Sequence, residues 1–274
     1  MAANIADYQP TQFLPTSARE NNLVQCKSYA PSLPLRPYVA SYWHITSRTT
    51  LLKTLHHRIM PDGCVDIVFN LAASNPQCAA VVAGPATNHF STPLTRKVDY
   101  LGICFRPGVF FQLFSVPVSE LTNRIIPLDD FGDITTRNLA DSLQPSDDLD
   151  NRIAQIERTL IQYVMRNHHG DQRLACALKA IMESGGSIRI ADLARHVHAS
   201  PRNLLRLFDC FVGLSPKTFC RIVRFQKFFR AIKHDRTQKQ LSSALSAGYY
   251  DQAHLIHEFQ AFAGQSPTRF FAAK

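Results

Sequence analysis

An internal repeat near the C-terminus constrains the fold of this chain more than any other feature of its sequence. When the sequence is compared with itself at an offset of 51 residues, seven positions within a window of sixteen are identical. The identical pairs are Leu204 and Leu255, Phe208 and Phe259, Phe211 and Phe262, Gly213 and Gly264, Ser215 and Ser266, Pro216 and Pro267, and Phe219 and Phe270. The pattern indicates two tandem copies of one supersecondary unit.

Each copy predicts two helices joined by a tight turn, which is the helix-turn-helix pattern. In both copies an N-cap residue, Ser200 or Asp251, precedes the second helix, and a glycine, Gly213 or Gly264, ends it. The residues predicted to face inward are Leu193, Ala194, Val197, Leu204, Leu207, Phe208 and Phe211 in the first copy, and Ala244, Leu245, Ala247, Leu255, Phe259 and Phe262 in the second.

A third helix is predicted between the copies, from Ser215-Pro216 to about Lys233. Its apolar residues can pack on both units; they are Phe219, Ile222, Val223, Phe229 and Ile232. About eighteen helical residues span roughly 27 Å. A linker of this length can hold two recognition helices about 34 Å apart, so that both enter successive major grooves on one face of B-DNA.

The charge distribution favours the same interpretation. The chain carries a net charge of +9, and residues 171–274 hold 16 Lys and Arg against 7 Asp and Glu, whereas residues 1–170 hold 14 of each sign. An excess confined to the predicted helical repeats is typical of a surface that faces phosphate. The alternative is a helical-repeat module that binds proteins, although such solenoids normally contain three or more copies.

Polar side chains on the outward faces of the two second helices are candidates for DNA contact. The residues predicted to contact bases are Arg202, Asn203, Arg206, Gln252, Ala253 and His257. The residues predicted to contact phosphate are Ser200, Lys217, Arg221, Asp251, His254 and Arg269. Arg206 is the strongest candidate for a base contact, because a guanidinium group can donate two hydrogen bonds to guanine.

The first half of the chain predicts β-structure. Strand-like runs with Gly and Pro punctuation occur at 58–71, 81–85 and 98–108. We therefore predict an α+β protein, with a β-rich, cupin-like half-barrel that also contains helices and a C-terminal all-α domain of two helix-turn-helix units joined by a long helix. The predicted bounds are 1–145 for the β-rich sensor or dimerisation domain, 146–170 for a helical connector and 171–274 for the DNA-binding domain.

The motifs A-D-L-A-x-x-V-x-A-S-P-R-N-L-x-R-x-F-x-x-x-x-G-x-S-P-K (191–217) and A-G-Y-Y-D-Q-A-H-L-x-x-x-F-x-x-x-x-G-x-S-P (247–267) resemble the paired helix-turn-helix domain of AraC/XylS-type transcriptional regulators. The resemblance implies a promoter-binding activator that acts with RNA polymerase, as a homodimer in many members, under an effector sensed by the N-terminal domain. His257 departs from the family pattern, which commonly has Arg there. The segments P-D-G-C-V-D-I-V-F, V-A-G-P and G-I-C-F-R-P-G resemble a sensor-like domain found ahead of this module.

Three functions remain open for the first half: a pocket for a small-molecule effector, a thiol sensor using Cys64 or Cys104, and a DNA-repair alkyl transferase with a nucleophilic cysteine. Neither the scattered cysteines nor the adjacent histidine pairs have metal-ligand spacing, so we expect no metal, no cofactor and no enzymatic activity. The sequence shows neither a signal peptide nor an apolar run long enough to span a membrane, and we expect a cytoplasmic protein without a membrane partner.

Overall fold

The computed structural model describes residues 8–12, 23–74, 79–131, 138–140, 148–166, 170–234 and 248–272. Within this part of the chain, seven β-strands precede the first α-helix, an eighth strand follows it, and helices make up most of the remainder. The predicted fold class, a β-rich domain with helices ahead of a helical region, is confirmed. The predicted domain bounds stay predictions, and residues 141–147 at the first of them lie outside the described residues.

The strands form two antiparallel sheets. The larger sheet has the order β1-β2-β7-β4-β5-β8, and the smaller sheet pairs β3 with β6. The strands are β1 (Val24–Tyr29), β2 (Val39–Ser47), β3 (Leu51–Ile59), β4 (Val65–Asn70), β5 (Ala80–Ala83), β6 (Phe90–Arg96), β7 (Asp99–Phe105) and β8 (Ile125–Pro127). β4 alternates buried and half-buried residues, as expected for a strand whose two faces differ.

Several of the helices begin at a side-chain cap, as at Asp171, Ser200 and Asp251. Those of the first half are α1 (Phe110–Phe114) and α2 (Leu149–Arg166), with a 3-10 helix at Val118–Glu120. Those of the second half are α3 (Gln172–Glu183), α4 (Ile190–His196), α5 (Pro201–Val212), α6 (Pro216–His234), α7 (Gln252–Ala263) and α8 (Pro267–Ala272). α6 is the predicted linker helix, with bounds within one residue of the prediction.

One face of the larger sheet packs on α1 and α2 in a common hydrophobic core. Ile67 of β4 and Phe105 of β7 are fully buried there together with Phe110 of α1. Ile156 and Leu160 of α2 belong to the same core. The helix predicted as a connector therefore packs with the β-rich half.

The β-rich half also packs directly on the helical half. Gln226 of α6 is completely buried, where its side-chain amide donates to the Pro61 carbonyl at 2.8 Å and accepts from the Thr11 backbone N–H at 2.9 Å. Gly63 lies against the ring of Phe219, so closely that a Cβ atom there would be 2.6 Å from Cε2 of the ring. The linker helix thus forms part of the contact between the two halves.

Candidate nucleic-acid interface

The first helix-turn-helix unit consists of α4, a short turn and α5. Leu193 and Ala194 of α4 are buried, as predicted. The Ser200 hydroxyl accepts from the Asn203 backbone N–H at 3.2 Å, which caps α5. Gly213 ends α5 with a φ of 72°, a left-handed conformation that favours glycine. The predicted start and end of this helix are confirmed.

The outward face of α5 presents the predicted base-contacting side chains. Arg202, Asn203 and Arg206 are all exposed, whereas Leu204 and Phe208 on the opposite face are fully buried. Two guanidinium groups and one amide therefore project from a single helix face into solvent. Side chains of these types donate hydrogen bonds to guanine and adenine edges and to phosphate oxygens.

In the second unit, α7 lies within the described residues, whereas the residues predicted to form the helix ahead of it do not. The predicted inward residues Ala244, Leu245 and Ala247 lie outside the described residues. The Asp251 carboxylate accepts from the His254 backbone N–H at 2.7 Å, and Gly264 ends α7 with a φ of 77°. The predicted cap and end of α7 are confirmed, and its predicted apolar stripe is buried, namely Leu255, Phe259 and Phe262.

The outward face of α7 carries less charge than that of α5. Gln252, Ala253 and His257 are exposed, and His254 is half-buried. At the repeat offset, Ala253 corresponds to Arg202 and His257 corresponds to Arg206. The two arginines of the first unit therefore have no arginine counterparts in the second.

A buried carboxylate joins α7 to the linker helix, and sequence reasoning missed it. Only 3% of the Glu258 side chain is exposed. Its Oε1 atom lies 2.5 Å from Nε of Arg221 and 3.7 Å from Nε2 of His254, and its Oε2 atom lies 4.0 Å from Nη1 of Arg224. The spacing of Glu258 four residues after His254 was the available signal, but the arginines belong to another helix.

This pairing shows that the basic linker helix uses part of its charge within the protein. The Arg221 guanidinium contacts Glu258 and also lies 5.2 Å from the centre of the Phe262 ring. Arg224 donates to the Gly186 carbonyl at 2.7 Å, and Arg230 donates to the Gln9 carbonyl. These three arginines bind protein groups, because the linker helix lies at the centre of the packing rather than at its edge.

The other residues predicted to contact phosphate divide into two groups. Lys217 and Arg269 are exposed, so their charges are accessible to a polyanion. The side-chain oxygens of Ser200 and Asp251 accept backbone hydrogen bonds at the first turns of α5 and α7. Phosphate contact remains a prediction for these four residues, as it does for Arg221 and His254.

The thiols of the first half have surroundings that do not favour nucleophilic chemistry. Cys64 and Cys104 are both buried. Burial raises the pKa of the Cys64 thiol to about 12, and a hydrogen bond with Cys64 together with burial raises the pKa of Cys104. A thiol that stays protonated at neutral pH is a poor nucleophile. The structure therefore disfavours both the thiol-sensor and the alkyl-transferase hypotheses for these two cysteines.

The described residues contain neither a metal-ligand cluster nor a membrane-spanning helix. Within these ranges, no three His, Cys, Asp or Glu side chains are grouped so that they could hold a metal ion. None of the helices found there combines the length and the apolar character that a membrane span needs.

Comparison with protein-family models gives two matches on this chain. Residues 193–273 match a helix-turn-helix domain model, and residues 27–127 match a domain of unknown function (DUF6597). An uncharacterized HTH-type transcriptional regulator of Haemophilus influenzae is 31% identical over 116 residues, which are 42% of this chain and 39% of that relative. The match thus spans less than half the length of either protein.

Comparison with solved structures finds ToxT of Vibrio cholerae. One crystal structure, of an apo single-residue variant, aligns with a TM-score of 0.40 at 7% identity and covers 91% of this chain and 96% of ToxT. A second has a TM-score of 0.39 at 10% identity and covers 91% and 98%. Scores this low do not establish a common fold. The family model instead identifies residues 193–273, which include α5 and α7, as a helix-turn-helix domain that follows a domain of unknown function. This is the kind of domain to which the AraC/XylS resemblance of the sequence points.

Proposed function

We propose that this protein is a sequence-specific DNA-binding regulator of transcription. The observation that carries the proposal is the pair of capped helices α5 and α7, which pack on one linker helix and leave polar side chains exposed on their outward faces. Such helices are suited to enter the major groove, where base edges carry sequence information. The name of the Haemophilus influenzae relative is consistent with this role.

In the proposed mechanism the two units bind neighbouring half-sites. Arg202, Asn203 and Arg206 contact base edges from the first unit, and Gln252, Ala253 and His257 do so from the second. Lys217 and Arg269 contact phosphate and set the position of the protein on the duplex. Because about 10 base pairs complete one turn of B-DNA, two half-sites about that far apart would face the same side of the protein.

We further propose that the protein activates transcription together with RNA polymerase, as a homodimer, when a small molecule binds the N-terminal domain. These points rest on the AraC/XylS resemblance. The contacts of Gln226 support the involvement of the N-terminal domain, because a rearrangement near Pro61 or Thr11 would act directly on the linker helix. Coupling between two sites needs such a connection between their states.

The test is the selection of bound genomic DNA fragments by the purified full-length protein at moderate salt. We expect enrichment of sites that contain two half-sites about 10 base pairs apart. The Arg206→Ala variant serves as the matched control and should lose preference in one half-site only. If the parent protein enriches no fragment, DNA reading is rejected, and a protein-binding helical module becomes the better hypothesis.

The proposed activation is tested separately on a reporter gene placed behind an enriched promoter. Expression of the regulator should raise reporter output, and Arg206→Ala should abolish the increase. A decrease in output would identify a repressor instead. Regulation by an effector predicts that a compound that alters reporter output also shifts the thermal unfolding of the purified protein, because a ligand that binds the folded state stabilises it.

A further inference from the structure

Six large apolar side chains are exposed among the described residues, and two of them belong to the helix-turn-helix region. The six are Leu33, Leu52, Ile125, Met165, Leu205 and Tyr250. Leu205 is the one that lies within a reading helix, where 51% of its surface is exposed. A single exposed leucine is common on protein surfaces, so its meaning depends on what surrounds it.

The position of Leu205 on α5 places it beside the predicted DNA-reading side chains. Arg206 follows it directly, and Arg202 precedes it by three residues, which puts Arg202 on the adjoining turn of the same side. Leu204 and Phe208 are fully buried on the other side. Leu205 thus borders the outward face from which both guanidinium groups project.

Packing inside the protein accounts for only part of the Leu205 side chain. Its neighbour Leu207 packs against the hydrophobic core of the helical half, whereas 51% of the Leu205 surface is exposed. The repeat does not account for its exposure, because the corresponding residue in α7, Ile256, is partly buried. An apolar side chain between two arginines is therefore a property of the first unit alone.

We propose that Leu205 determines specificity by contacting the C5-methyl group of a thymine in the half-site read by α5. This inference rests on the proposed function. Thymine is the base that presents a methyl group in the major groove, and apolar side chains recognise it by contact. The flanking arginines suit guanine and phosphate, so they would hold the helix face against the duplex. In that position the Leu205 side chain would become buried against the DNA.

The test replaces each thymine of an enriched site with deoxyuridine, which lacks only the C5-methyl group, and measures the Kd of the full-length protein. The half-site of α5 is identified first, as the one in which Arg206→Ala relaxes preference. At one thymine in that half-site, loss of the methyl group should weaken binding about fourfold, the factor expected for one methyl group no longer buried. When deoxyuridine replaces thymine in the other half-site, this fourfold loss of affinity should not occur.

Two variants assign the effect to the leucine. Leu205→Ala should bind the thymine and deoxyuridine duplexes equally, with a thermal midpoint close to that of the parent, since alanine suits an exposed helix position. Leu205→Gln should shift the selected base at that position from thymine to adenine, which glutamine can bind through two hydrogen bonds. Leu52→Ala removes a more exposed leucine from β3 and should change neither duplex affinity nor selected sequence.

The outcomes separate this inference from the function on which it rests. If the parent enriches sites but tolerates deoxyuridine at every thymine of the half-site, the thymine contact is rejected while DNA reading stands. The same conclusion follows if Leu205→Ala retains the parent's discrimination between the two duplexes. If the parent enriches no site, both proposals fail together.

Discussion

The two helix-turn-helix units share a frame but use their polar residues differently. In the first unit, Arg202 and Arg206 extend from α5 into solvent. In the second, the corresponding residues are Ala253 and His257, and the strongest polar contacts of α7 point inward through Glu258. Glu258 corresponds to Leu207, a side chain that packs against the core in the first unit. One copy therefore exposes its charge to solvent, and the other uses charge to attach itself to α6.

This difference shows how a duplicated unit can divide its tasks. A core leucine stabilises a helix by apolar contact, which has no preferred direction. A carboxylate between two arginines stabilises it by ionic hydrogen bonds, whose strength depends on how the groups are oriented. The exposed arginines of the first unit favour it as the main reader of sequence. The buried contacts of the second favour it as the unit whose position depends most on the linker helix.

The largest expected effect comes from breaking the buried ionic contacts of the second unit. Replacement of Glu258 by Gln should lower the free energy of unfolding by about 3 kcal/mol, because it leaves Arg221 and Arg224 without their anionic partner. Urea denaturation of the full-length protein measures the change.

Glu183→Gln is the matched control, since Glu183 forms an exposed ion pair with Lys179 at 3.7 Å. Its cost should stay below about 0.5 kcal/mol. Equal unfolding midpoints for Glu258→Gln and the parent would show that the buried contacts do not hold α7 in place.

The next effect concerns base reading by the first unit. Arg206→Ala should cost ~1–3 kcal/mol of binding free energy on the preferred site and relax sequence preference at one position. His257→Ala, at the corresponding position of the second unit, should cost less, because an imidazole offers fewer hydrogen-bond donors to a base edge than a guanidinium. Titration of both variants on one selected duplex gives the two values, and a larger loss for His257→Ala would reverse the proposed division between the units.

The N-cap residues of α5 and α7 should contribute equally to stability, because the two units share this feature. Ser200→Ala and Asp251→Ala each remove a side-chain acceptor from the first turn of a reading helix, so each should lower the free energy of unfolding by about 1 kcal/mol. Urea denaturation measures both. Asp251→Asn keeps an acceptor and should recover most of the loss, whereas no recovery would mean that the carboxylate stabilises α7 by its charge instead.

The smallest expected effect concerns the salt dependence of DNA binding, which should differ between an exposed cation and one paired with a carboxylate. Lys217→Ala should reduce the slope of log K against log salt by about 1, the change expected for one lost phosphate contact. Arg221→Ala should reduce it by less, because Glu258 already balances its charge. Filter binding over a series of salt concentrations gives the slopes, and equal reductions would show that Arg221 turns from Glu258 to phosphate in the complex.

Much of the helical half could be predicted because its signals are local. Pro201 and Pro216 begin helices, and Gly213 and Gly264 end them, as their backbone preferences require. His198 adopts a φ of 49° in the turn ahead of α5, a conformation that a non-glycine residue rarely adopts and that no local pattern indicated.

The long-range contacts of residues 8–12 could not be predicted in the same way. Residues 8–12 have no periodic pattern, yet the Tyr8 hydroxyl donates to the Asp62 carbonyl at 2.6 Å and Thr11 binds Gln226. These pairs lie 54 and 215 residues apart in the sequence. Their formation depends on how the whole chain packs, which neighbouring residues do not encode.

The sequence by itself determined the duplicated unit, its caps and its excess of positive charge, because helix periodicity and turn chemistry act over a few residues. Tertiary structure alone decided which of those charges remain free. Lys217 and Arg221 lie one helical turn apart on α6, and only Arg221 meets a buried carboxylate, which α7 brings from 37 residues away. Whether a cation is available to DNA depends on its partner in space.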